Sequence, residues 1–92
     1  MSGAPIWRVE FDSDAARELR KLGHAARSAI QKYLRERIAT VEDPRRFGHA
    51  LLGDLKRLWR YRVGDYRIVV DIRDKEILVM VVIVGHRRNV YD

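Results

Sequence analysis

Cysteine is absent from the 92 residues. That removes disulfide scaffolds, thiolate zinc sites and cysteine nucleophiles together. Long apolar runs are absent too. The longest, Ile77 to Val84, has eight residues, whereas a membrane-spanning helix needs roughly 20. Met1 to Trp7 holds no apolar stretch of signal-peptide length, so a cytoplasmic protein that makes no use of a membrane is expected. The three histidines are dispersed without metal-ligand spacing, so no metal site is expected. Gly48, Gly53 and Gly64 are too scattered for a phosphate-cradling loop. Ser2, Ser13 and Ser28 fall in the tail or in helical regions and form no serine–histidine–carboxylate set. No cofactor is implied, and no repeat, linker or low-complexity segment is visible.

What is present is one core's worth of apolar residues and an excess of positive charge. Hydrophobic residues make up 47% of the chain, enough for a packed interior. A chain of this size has room for one domain, residues 1–92. The formal charge is +6, which points to a polyanionic partner: nucleic acid, an acidic protein or an anionic membrane.

Periodicity gives the order of elements. Ile6 to Phe11 alternates apolar and charged residues and reads as a half-buried strand. Asp12 or Ser13 can cap a helix whose apolar positions are Ala15, Ala16, Leu19 and Leu22, with Gly23 as its stop. A second helix is expected from about His24 to Val41, closed by Pro44, with Ala26, Ile30, Leu34, Ile38 and Val41 as its apolar stripe. Its charges, Arg27, Lys32 and Arg35 among them, are expected to solvate it or to pair along it. Residues 44–57 read as an irregular connection. Leu58 to Val63 and Tyr66 to Ile72 then alternate with period two, joined by Gly64-Asp65, a loop of the type that begins with glycine. Ile77 to Val84 suits a strand buried on both faces, ended by Gly85. The order β-α-α-β-β-β predicts an α+β domain with two helices on a mainly antiparallel sheet.

The charge is uneven. Residues 1–55 hold ten basic and eight acidic residues, and residues 56–92 hold nine and five. With Gly64 and Asp65 as the loop, Val63 faces Tyr66 and Arg62 faces Arg67. Arg60 shares their side of the pleat, while Trp59, Tyr61 and Val63 point to the core. Like charges directly across a strand pair are destabilising, so an anion is expected there. A second turn at Asp74-Lys75 would set Val82 opposite Arg67. It would bring Gly85, His86, Arg87 and Arg88 to the same end of the sheet as the Gly64-Asp65 loop. Arg87 or Arg88 is then expected to join the cluster, with His86 and Tyr91 at its rim. Trp7 and Trp59 are expected in the core, and His24 and His49 are given no role.

The segment Leu52-Gly53 through Leu58-Trp59-Arg60-Tyr61-Arg62-Val63-Gly64-Asp65-Tyr66-Arg67-Ile68-Val69 resembles the RelE/ParE toxin superfamily. So does the ending Val84-Gly85-His86-Arg87-Arg88-Asn89-Val90-Tyr91. The resemblance spans nearly the whole chain and is closest to the RelE branch. It implies a toxin of a type II toxin–antitoxin system: a ribosome-dependent endoribonuclease that cuts mRNA and is neutralised by a cognate RelB-like antitoxin in a hetero-oligomer. By position, the family's two basic residues before the hairpin match Arg60 and Arg62. Its arginine after the hairpin tyrosine matches Arg67, its arginine after the final glycine matches Arg87, and its terminal tyrosine matches Tyr91.

Such a site implies metal-independent attack of the RNA 2′-hydroxyl on phosphorus, with guanidiniums stabilising the charge that develops. Tyr91 would stack on a base, worth about 1–3 kcal/mol. The branch's best-known member has lysines where this chain has Arg60 and Arg62. Arginine does not give up its proton, so the base must lie elsewhere. His86 is one expectation, as base or acid. The other is that electrostatics and ribosome-imposed geometry carry most of the rate, with Arg87 near the leaving oxygen. Two further functions stay open on sequence grounds: a ParE-like inhibitor of DNA gyrase, and a non-catalytic binding module.

Overall fold

The computed structural model describes residues 3–53 and 57–88. Strand β1 (Arg8–Phe11) leads into helices α1 (Ser13–Lys21) and α2 (His24–Tyr33), and α2 runs on through a π-helical turn, Leu34–Ile38. A 3₁₀ turn (Pro44–Phe47) and a two-residue strand β2 (His49–Ala50) follow. Then come β3 (Leu58–Val63), β4 (Tyr66–Arg73), a second 3₁₀ turn (Asp74–Glu76) and β5 (Leu78–His86). The sheet order is β1-β5-β4-β3-β2. Every pairing is antiparallel except β1 on β5. The expected α+β architecture stands, with one strand more than the sequence showed. Among the described residues no helix is long and apolar enough to cross a membrane.

The helices begin as their sequence dictates. The Asp12 side chain accepts from the Ala15 backbone N–H at 2.8 Å, satisfying a donor that the first turn would leave orphaned. Asp14 sits in that first turn and Arg20 and Lys21 in the last, matching the helix dipole. The far ends differ from expectation. Leu22 closes α1, and Gly23 opens α2 instead of ending its predecessor. The second helix stops at Ile38, short of Val41, because its last turn is wide: the Ala39 N–H donates to the Leu34 carbonyl at 2.8 Å. That width keeps both Leu34 and Ile38 buried. The chain then folds back, and the Thr40 carbonyl accepts from Trp7 N–H at 2.9 Å.

Both sheet faces carry apolar clusters. Ala15, Leu19, Ile30, Leu34 and Ile38 pack on Tyr61, Ile68, Val70, Val79 and Val81, with Trp7 and Trp59 partly buried against them. On the outer face Leu51, Leu58 and Val69 form a smaller cluster with Val82 and Ile83. Leu51 comes from the stretch expected to be irregular, which instead crosses the outer face through β2. Its start is fastened at two points. The buried Tyr61 hydroxyl donates to the Pro44 carbonyl at 2.7 Å. The Arg45 guanidinium grips Asp74 with two bonds, of 3.1 and 2.6 Å.

Each fastener has a measurable consequence. Burial pushes the Tyr61 hydroxyl well above the usual tyrosine range, so it stays a donor. Tyr61→Phe leaves a buried carbonyl unpaired and lowers stability by about 1–3 kcal/mol in urea unfolding. Asp74 is held below the usual carboxylate range by its hydrogen bonds from Arg45. A depressed carboxylate stabilises the fold above its unfolded-state value and loses that contribution as pH falls through the folded-state value. Asp74 is solvent-exposed, so Asp74→Asn costs at most about 1 kcal/mol at neutral pH. The gap between wild type and variant closes in strong acid.

Candidate active site

The β3–β4 hairpin sets the site. Gly64 has φ +59°, which a residue with a side chain adopts at a cost, so the two-residue loop is held at Gly64-Asp65. Val63 pairs with Tyr66 and Arg62 with Arg67, as the loop dictates. Val63 and Tyr66 pack toward the helices, so alternation turns Arg60, Arg62 and Arg67 to the outer face. Arg62 is exposed, whereas Arg60 and Arg67 are 5% and 7% exposed. That burial was not expected. The outer apolar cluster of Leu51, Leu58, Val69, Val82 and Ile83 lies on the same face. Each of the two has an interaction partner.

The next strand corrects the expected register. Arg67 pairs with Gly85, not with Val82. Two displacements add up. The second turn is longer than Asp74-Lys75: it spans Asp74–Glu76 and Ile77, whose φ of +50° is unusual for a β-branched residue. Then Val69 pairs with Ile83 but Val70 with Val81, leaving Val82 as a bulge. A bulge adds one residue to one strand and re-aims the side chains beyond it. Here it puts Gly85 in line with Arg62 and Arg67, so the row ends on a position with no side chain.

The same bulge sorts the tail. The strand runs one residue past Gly85, and His86 pairs with Tyr66. The two rings meet edge to face at 5.7 Å, so His86 lies on the helix side, with Glu18 and Leu22 of α1 lining the adjacent cleft. The structure therefore does not bring His86 to the arginine side. Arg87 takes that side. Its N–H donates to the Asp65 carbonyl at 2.8 Å, and its guanidinium lies 3.8 Å from the Asp65 carboxylate. Arg88 is exposed beyond it, its N–H donating to His86 Nδ1 at 3.3 Å. Tyr91 falls outside the described residues.

One neighbour was not anticipated. Strand β2 pairs antiparallel with β3, and His49 stands directly opposite Arg60. Cross-strand partners share a face, so His49 lies on the arginine side. Two residues are too few to show a period, and the sequence gives no other signal of β2. Arg60, Arg62, Arg67 and Arg87 thus share one face and one end of the sheet. Guanidiniums so arranged can bind a phosphodiester through paired, charge-assisted hydrogen bonds. Among the described residues no group of three or more histidine or acidic side chains is placed to hold a metal ion.

Three comparisons bear on this geometry. The family model described as the ParE toxin of type II toxin–antitoxin system parDE matches residues 9–91. The mRNA interferase toxin RelE of Escherichia coli is 35% identical over 83 residues, covering 88% of this chain and 83% of that protein. A chain of the RelBE2 toxin–antitoxin complex from Mycobacterium tuberculosis superposes with a TM-score of 0.82 at 26% identity, covering 97% of this chain and 100% of that one. The isolated E. coli RelE toxin superposes with a TM-score of 0.69 at 27% identity, covering 87% of this chain and 83% of its own. With the family model matched over residues 9–91 and the fold in common, the chain belongs to the RelE/ParE family of type II toxin–antitoxin toxins.

Proposed function

We propose that this toxin is a ribosome-dependent endoribonuclease that cuts mRNA in the cytoplasm. The observation that carries the reading is the row in which Arg62 stands directly across from Arg67, with Arg87 tied to the loop at the same end. Two guanidiniums facing each other across a strand pair repel. A phosphodiester between them removes that repulsion, and the charge developing on its oxygens in the transition state strengthens the contact further. The 2′-oxygen forms its bond to phosphorus as the bond to the 5′-oxygen breaks. The products are a 2′,3′-cyclic phosphate and a 5′-hydroxyl. The arginines supply the positive charge, so the scheme calls on no metal ion.

The relatives favour RNA over gyrase as the target, since two that are 35% identical over 83 residues are named mRNA interferases. Several similar structures are of complexes with an antitoxin. This chain, at a formal +6, suits a RelB-like partner that is acidic and folds on binding. Tyr91 keeps its assignment as the base-stacking residue by family position. Arg87 is assigned to the leaving oxygen. The helix-side position of His86 favours a reading in which this histidine takes no part in the chemistry.

Primer extension on translating ribosomes tests these assignments. Arg67→Ala should lose cleavage by about 10²–10³, with Arg62→Ala falling in the same direction. A variant that still cuts at the wild-type rate would sink the arginine site. His86→Ala should keep cleavage within a fewfold of wild type, and a loss as deep as that of Arg67→Ala would return the proton transfer to it.

A further inference from the structure

We propose that His49 is the general base of this site. The inference rests on the RNA-cleaving reading and supplies the group that the arginines cannot provide. Arginine keeps its proton, so Arg60 and Arg62 bind the phosphate but accept nothing from the 2′-hydroxyl. Histidine is the side chain suited to taking up a proton near neutrality.

The register brings one histidine to the arginine side. His49 is directly opposite Arg60 on β3. Directly opposed residues have β-carbons about 5 Å apart, and diagonal ones about 7–8 Å. Arg62 is that diagonal neighbour, so an imidazole at 49 flanks both arginines of β3. It is exposed, open to a bound strand. His86 lies on the other face beside Tyr66, and His24 is on α2 near Ser28, at 3.5 Å. Among the described residues the carboxylates of the arginine face are engaged: Asp65 faces Arg87 at 3.8 Å, Asp71 holds Arg73 at 3.3 Å, and Glu10 holds Arg8 at 3.1 Å.

The step balances without a further reactant. A ring nitrogen of His49 takes the 2′-hydroxyl proton as the 2′-oxygen bonds to phosphorus. The 5′-oxygen leaves and takes a proton from water, and His49 returns its own proton to solvent. Position 49 sits on a two-residue edge strand outside both apolar clusters, so its replacement tests chemistry and not folding.

The test compares His49→Ala, His49→Glu, Arg67→Ala and wild type in cleavage of mRNA on ribosomes, with and without added imidazole. General-base catalysis is worth about 10²–10⁴-fold, so His49→Ala should lose at least 10²-fold in kcat with KM little changed. Imidazole, or the carboxylate of His49→Glu, should restore part of the loss. Imidazole should restore nothing to Arg67→Ala. His49→Ala cleaving like wild type overturns the proposal, as does a loss that neither imidazole nor His49→Glu repairs. Wild type that leaves ribosome-bound mRNA intact overturns the RNA-cleaving reading itself and the base with it.

Discussion

The register of β5 against β4 is the constraint on which the arginine side depends. A strand shows alternate residues to alternate faces, so one inserted residue exchanges the faces of everything beyond it. The bulge at Val82 is that insertion. Without it, Val84 would stand opposite Arg67, closing the row with an isopropyl group. His86 would turn outward and Arg87 toward the helices. With it, glycine lies beside a buried guanidinium and an arginine comes two residues later. The chemistry offered by the tail is thus decided far along the chain from the hairpin arginines, by one unpaired valine among aliphatic neighbours.

Burial raises the stakes of the arginine side. A guanidinium taken out of water costs several kcal/mol unless it is well compensated, and two are taken out here, at Arg60 and Arg67. The outer apolar cluster shares their face, since Val69 pairs with Arg60 and packs with Leu51 and Leu58. A surface arginine samples many rotamers, and its ordering must be met at the moment of binding. Buried arginines have met that cost during folding. Arg62 and Arg87 stay exposed, so the row joins a buried floor to a solvent-facing rim.

How much of this was legible depends on the length of each signal. The hairpin was readable to the residue, because Gly64-Asp65 separates two alternating runs and leaves one register. The helices were readable in position but not at their ends, since the wide turn at Leu34–Ile38 leaves no mark in a pattern of period 3.6. The β4–β5 register was not readable: Ile77 to Val84 is aliphatic throughout, so sliding it by a residue changes no apparent polarity. His49 was invisible for a related reason, because a strand of two residues has no period. Family resemblance singles out Arg60, Arg62, Arg67 and Arg87 by position. It gives no hint that two of them are buried.

The parallel pairing of β1 with β5 also bears on the order of synthesis. Arg8 lies beside Leu78, so the first strand to be made has no neighbour until the last one exists. The two helices likewise have nothing to lie on until β3, β4 and β5 have been translated. Contacts this distant along the chain form late, and a growing polypeptide therefore carries its arginines in an unassembled state. The ribosome that makes this protein does not meet the assembled arginine side while the sheet is still being translated.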